Sequence, residues 1–195
     1  MAATFWLASL AGCVTEAATV AQPEDDRMIL VVGRVVTVIT GDRARRYRPE
    51  VRQMELMQRH TGKRYSVTVD TEDKALSFFL PAGEYELTRV QISEGPFLSI
   101  AQLSSTFALG NGPVVFVGTW RFGVDSPRYG RMVLVSMIPE SDARQQAEHT
   151  IREQYPTLAA ESLTTVIPAP AETETRLYEV MPYPRYPKYF RRHLW

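Results

Sequence analysis

The sequence is poor in the residues that most often mark chemistry. It holds one cysteine and three histidines among 195 residues, and its charge cancels, with 22 Lys and Arg against 22 Asp and Glu. A lone cysteine, Cys13, excludes an internal disulfide and any metal cluster built on several thiolates. Balanced charge argues against nucleic acid as a partner, because phosphates select a basic face. No apolar run reaches the roughly 20 residues that a membrane-spanning helix needs. There is no HExxH, no GxSxG and no phosphate-binding loop. Gly110-Asn111-Gly112 lacks the third glycine and the following helix of a dinucleotide fingerprint. His60, His149 and His193 fall in a turn, a helix and a tail. The expectation is therefore a protein that is not an enzyme and carries no cofactor and no metal. A hydrolase working through two carboxylates that the sequence does not pair is the remaining enzymatic reading.

What is present begins at the N-terminus. Ala2 to Gly12 is a short apolar run ending in small residues, the pattern of a secretory signal followed by a cleavage zone. It closes on Leu10-Ala11-Gly12-Cys13. These residues resemble the bacterial lipobox, a branched residue and two small ones before a cysteine, although no Lys or Arg precedes Cys13. The resemblance implies cleavage before Cys13, a diacylglycerol on its thiol and acylation of the new amine. One acyl chain holds a protein only marginally, and two or more hold it firmly. In enterobacterial relatives an Asp after the cysteine retains the protein in the inner membrane. Val14 stands there, so the resemblance points to the outer membrane facing the periplasm. A buried apolar terminus is the bland alternative. Residues 14–26 lack apolar periodicity and carry Glu16, Glu24, Asp25 and Asp26, as a tether would.

From Arg27 the pattern changes to β-branched runs separated by turn residues. Met28 to Thr40 is dense in Val and Ile, with Gly33 marking a bulge or bend. Further strands are expected at Val51–Gln58, Tyr65–Val69, Leu76–Leu80, Glu84–Ile92, Leu98–Leu109, Val114–Phe122 and Met132–Ile138. Seven or so short strands over about 110 residues predict one antiparallel β-sandwich. Alternation on Val114–Phe122 would set Phe116, Trp120 and Phe122 on one face and Val115, Val117, Thr119 and Arg121 on the other. The stretch from Ser66 to Leu87, with its polar turn, its Ser77-Phe78-Phe79-Leu80 strand and its Pro81-Ala82-Gly83-Glu84-Tyr85 corner, resembles the transthyretin-like or carboxypeptidase-regulatory-like family. That resemblance implies a sandwich and says little about function.

The organisation expected is a signal peptide at 1–12, a lipidated tether at 13–26, the sandwich at 27–138, a helical segment at 139–163, and a linker and tail rich in Pro, Tyr and Arg at 164–195. Ala143, Ala147 and Ile151 define the apolar face of the helix, and Pro156 stops it. In the tail, prolines forbid a regular helix, so an extended form is expected. Its aromatic residues Tyr183, Tyr186, Tyr189 and Trp195 are candidate contacts with a partner.

Three other clusters bring together side chains suited to binding. Trp120, Arg121, Arg128 and Tyr129 combine rings and guanidiniums in a way that suits sugar or protein recognition; core packing of the rings is the commoner outcome. Asp70, Glu72 and Asp73 could offer oxygens to Ca²⁺, but they fall short of a full coordination shell, and a solvated turn is favoured. Arg43, Arg45, Arg46 and Arg48 around Tyr47 could meet anionic headgroups or simply face water. Together these readings give a lipid-anchored envelope protein whose domain serves interaction or structure. Its expected partners are the membrane, through the anchor, and another envelope protein or a cell-wall glycan. Binding of peptidoglycan is the alternative function.

Overall fold

The computed structural model describes residues 28–40, 47–69, 75–110, 112–125 and 131–180. The β-branched and apolar runs form strands where expected: β1 (Met28–Thr40), β2 (Glu50–Gln58), β3 (Arg64–Thr68), β4 (Ala75–Pro81), β5 (Gly83–Glu94), β6 (Phe97–Leu109), β7 (Val114–Asp125) and β8 (Met132–Ile138). The helix α1 (Ser141–Gln154) follows Pro139, and a short 3-10 turn at Pro156–Leu158 ends the helical stretch. Two further strands lie where the sequence reads as linker and tail, β9 (Thr164–Thr165) and β10 (Glu172–Val180).

The expected two-sheet sandwich of transthyretin type is not what forms. The strands make one sheet in the order β3-β2-β5-β6-β10-β8-β7-β1-β4, with β9 pairing β7 off this path, and the sheet curls into a nearly closed barrel. The cause is β10. Its first half, Glu172–Arg176, pairs antiparallel with β8, and its second half, Leu177–Val180, pairs antiparallel with β6. One strand thus joins what would otherwise be two sheets. Only β3 and β4, the two ends of the order, remain without a ladder between them. β1 and β7 run parallel, from Leu30 beside Val114 to Thr40 beside Asp125.

Gly33 sits at the irregularity the sequence announces, but the extra residue lies across from it, on β7. The β1–β7 register shifts between Val32 and Arg34, and Gly118 opposite adopts φ +80. An added Cβ at Gly33 would lie 2.8 Å from the Gly118 carbonyl oxygen. This irregularity also corrects the face assignment on β7. Val115, Val117, Trp120, Phe122 and Val124 belong to the barrel interior, while Val114 and Phe116 belong to the outer cluster under α1. The extra residue at Gly118 changes which parity points inward, so simple alternation puts Phe116 on the wrong side. The Trp120 indole N–H then donates to the Val117 carbonyl at 2.9 Å, across the irregularity.

The interior holds a run of aromatic contacts, Tyr65 to Tyr85 at 5.9 Å, Tyr85 to Phe107 at 5.8 Å and Phe107 to Trp120 at 6.2 Å between ring centroids. On the outside, Ala143, Ala147 and Ile151 of α1 pack on Leu30, Val32, Phe79 and Phe116. Small side chains on the helix let it lie close to the sheet, and its opposite face is polar.

The Pro81-Ala82-Gly83-Glu84-Tyr85 corner turns the chain from β4 at one end of the sheet to β5 in its other half. Tyr85 is fully buried and its hydroxyl donates to the Pro81 carbonyl at 2.7 Å, pinning the corner from within. Burial pushes that hydroxyl well above the ordinary phenol range, and the neighbouring Tyr65 adds to the shift. Gly83 has φ +153, and a Cβ there would stand 2.8 Å from Gln58 Nε2. Gly83→Val is therefore expected to destabilise the barrel by about 2 kcal/mol, since a β-branched residue resists that backbone conformation. Thermal melts followed by circular dichroism check this; equal midpoints for variant and parent would show that the corner tolerates the strain.

Candidate functional site

The residues singled out in the sequence do not assemble into one site. Trp120 is fully buried and belongs to the interior. Arg121 next to it faces outward, where its guanidinium pairs with Glu140. Ring and cation therefore point to opposite sides of the wall. The glycan reading loses one of its two rings, Trp120. Arg128 and Tyr129 lie outside the described residues, as do Cys13, the tail positions Tyr183, Tyr186, Tyr189 and Trp195, the acidic trio Asp70, Glu72 and Asp73, and Arg43, Arg45 and Arg46. Of the histidines, His60 is exposed in the β2–β3 turn and His149 faces Glu153 along α1. Among the described residues no group of three or more His, Cys, Asp or Glu could hold a metal ion, and no helix is long and apolar enough to cross a membrane.

Two polar arrangements are visible only in the fold. At the start of α1, Glu140 receives a hydrogen bond from the buried Thr119 hydroxyl at 2.8 Å and pairs with Arg121. This ties the helix N-terminus to β7. Arg34 is the register neighbour of Thr119, and its Nε is buried without a hydrogen-bond partner among the described residues; nothing in the structure explains that. At the other end of the barrel, Glu94 pairs with Arg131 with both side chains largely buried, linking the β5–β6 turn to the start of β8. Sequence spacing gives no warning of either pair, because the partners are 19 and 37 positions apart.

The two ends of the barrel differ in character. The chain enters at Met28, at the end that also holds the β2–β3 turn and the Pro81–Gly83 corner. The opposite end collects the C-termini of β1, β5, β7 and β10 and the N-termini of β2, β6 and β8, as the registers require. The exposed large hydrophobic residues among those described are Val38, Ile39, Tyr47, Phe97, Leu134 and Tyr178. All six lie at or near this far end. Tyr47 rests over Gly95 so closely that a Cβ there would meet its ring at 2.6 Å. Arg176 stacks over the Tyr178 ring with its guanidinium carbon 5.4 Å from the centroid.

No protein-family model, curated protein or solved structure matches the chain.

Proposed function

We propose that this chain is a bacterial envelope lipoprotein, anchored through Cys13, whose barrel is a non-catalytic interaction or structural module. The observation that carries the reading is the junction in the sequence. Leu10-Ala11-Gly12-Cys13 supplies the residue types that lipoprotein processing uses, at the only cysteine, and an acidic segment free of apolar periodicity separates it from the first strand at Met28. Only a thiol can form the thioether, and small residues before it admit the peptidase. The barrel supports the second half of the reading. Its interior is filled by side chains such as Trp120, Tyr85, Phe78 and Phe122, so it presents itself to partners by its outer surface.

Metabolic labelling with a clickable fatty acid tests the anchor. The parent chain is expected to take up label and fractionate with membranes, and Cys13→Ser to lose both. Label on Cys13→Ser at the parent's level would overturn the assignment.

A further inference from the structure

We infer that residues 163–180 form an exchangeable closing segment, and that two copies of the chain swap it to make a reciprocal dimer. The first observation is where the segment makes its contacts. Arg144 of α1 donates to the Leu163 carbonyl at 3.0 Å and to the Thr165 hydroxyl at 2.9 Å. Thr164 and Thr165 pair with Val115 and Phe116 of β7, Ala169 bridges to Thr106 of β6, and the Met137 N–H of β8 donates to the Ala171 carbonyl. β10 then pairs with β8 and β6. Every one of these partners lies in the body that precedes the segment. A second copy offers the same partners, so exchange keeps each contact and changes only the chain that supplies it.

The second observation is the hinge. Ala159, Ala160, Glu161 and Ser162 join the 3-10 turn to Leu163, and all four are exposed. Their backbone hydrogen bonds are local, from the Ala159 N–H to the Pro156 carbonyl and from the Glu161 N–H to the Leu158 carbonyl. Opening the hinge breaks these two bonds and uncovers no buried side chain of its own. An exposed linker with few contacts is where a chain opens most readily.

The third observation is the match between acceptor and donor. Without β10, β6 and β8 present open edges, and an open edge takes up an extended segment that fits it. β10 is suited to wait in water. Its positions Glu172, Glu174 and Arg176 are charged and exposed, and Leu177 is its one buried residue. As the last strand of the sheet in sequence, it closes a body whose other strands have already been made, its own or a neighbour's. A short linker gives the chain's own segment an effective concentration on the order of millimolar. Dilute chains therefore close on themselves, and concentrated chains close in part on each other. The inference stands apart from the lipid anchor.

The test uses the full chain as Cys13→Ser with Leu134→Cys and Glu174→Cys. These positions are register partners on β8 and β10, and both side chains are exposed. Facing residues on adjacent strands stand close enough for a disulfide, which locks β10 to whichever β8 it lies on. The chain is refolded from denaturant when dilute and when concentrated, oxidised, and analysed by size exclusion and by non-reducing denaturing gels. Dilute refolding is expected to give a monomer with an internal cross-link. Concentrated refolding is expected to add a dimer whose two chains are covalently joined. Deleting Ala160–Ser162 should make that joined dimer the main species at both concentrations, because the segment no longer reaches its own barrel. Joined chains in the concentrated parent support the inference even if the shortened chain fails to fold. Monomer alone from both chains at every concentration would overturn it. So would a dimer whose disulfides stay within each chain, which would show association through surfaces without exchange.

Discussion

A chain ended after Ala171 is expected to lose cooperative unfolding. The missing strand β10 pairs with β8 along Glu172–Arg176 and with β6 along Leu177–Val180. Its removal leaves two internal strands with open edges and uncovers the interior beside Leu177, which is 5% exposed. Losing one shared strand and its buried contacts is expected to cost about 5 kcal/mol or more, comparable with the whole stability of a domain this size. Thermal melts by circular dichroism and size-exclusion profiles check the prediction. A chain ended after Val180 keeps every β10 pairing and serves as the reference. A sharp transition for the shorter chain, within a few degrees of the reference, would mean that the two half-sheets hold together without the strand that links them.

The second large effect is expected at Gly118. It has φ +80, and an added Cβ would sit 2.7 Å from the Ile138 carbonyl oxygen and 2.8 Å from Ile167 Cδ1. The isoleucine can move, but the carbonyl belongs to the β7–β8 ladder, where Ile138 pairs with Thr119. Gly118→Ala therefore combines left-handed backbone strain with a backbone clash, and is expected to cost about 3 kcal/mol. Gly62 separates the two terms. It has φ +68 with open space around its Cβ position. Gly62→Ala is expected to cost only about 1 kcal/mol. Equal losses in chemical denaturation for both variants would show that conformation alone sets the cost at Gly118.

The strands up to β8 were legible because their residues alternate or cluster in the ways that a half-buried pleated surface demands. The same rule hid β10. Its outward positions carry Glu172, Glu174 and Arg176 and its inward ones begin with Thr173 and Thr175, so the Glu-Thr-Glu-Thr run has no hydrophobic period until Leu177. A strand held chiefly by its two ladders needs little apolar signal of its own. Missing it turned a nearly closed barrel into a sandwich. The placing of Phe116 failed for a related reason. Counting alternate residues along β7 assumes an unbroken ladder, and Gly118 breaks it. Gly33 was recognisable as an irregularity because it interrupts a β-branched run. Gly118 was not, because Val117-Gly118-Thr119 reads as ordinary strand. The proposed lipid anchor rests on the local sequence at Cys13 alone, outside the described residues.

The parallel pairing of β1 with β7 bears on how the chain reaches this fold. Leu30 must find Val114, and the strand that completes the sheet does not finish until Val180. Proteins dominated by such distant pairings fold slowly, over milliseconds to seconds, because the loop entropy is lost before any contact repays it. Synthesis at about 5–20 residues per second separates β1 from β10 by on the order of ten seconds. During that interval the uncharged segment Ala75–Pro81, Ala-Leu-Ser-Phe-Phe-Leu-Pro, can pair with β1 but has no barrel interior into which to bury Phe78. Nascent chains are thus most vulnerable to association at this segment, and the vulnerability ends when the last strand arrives.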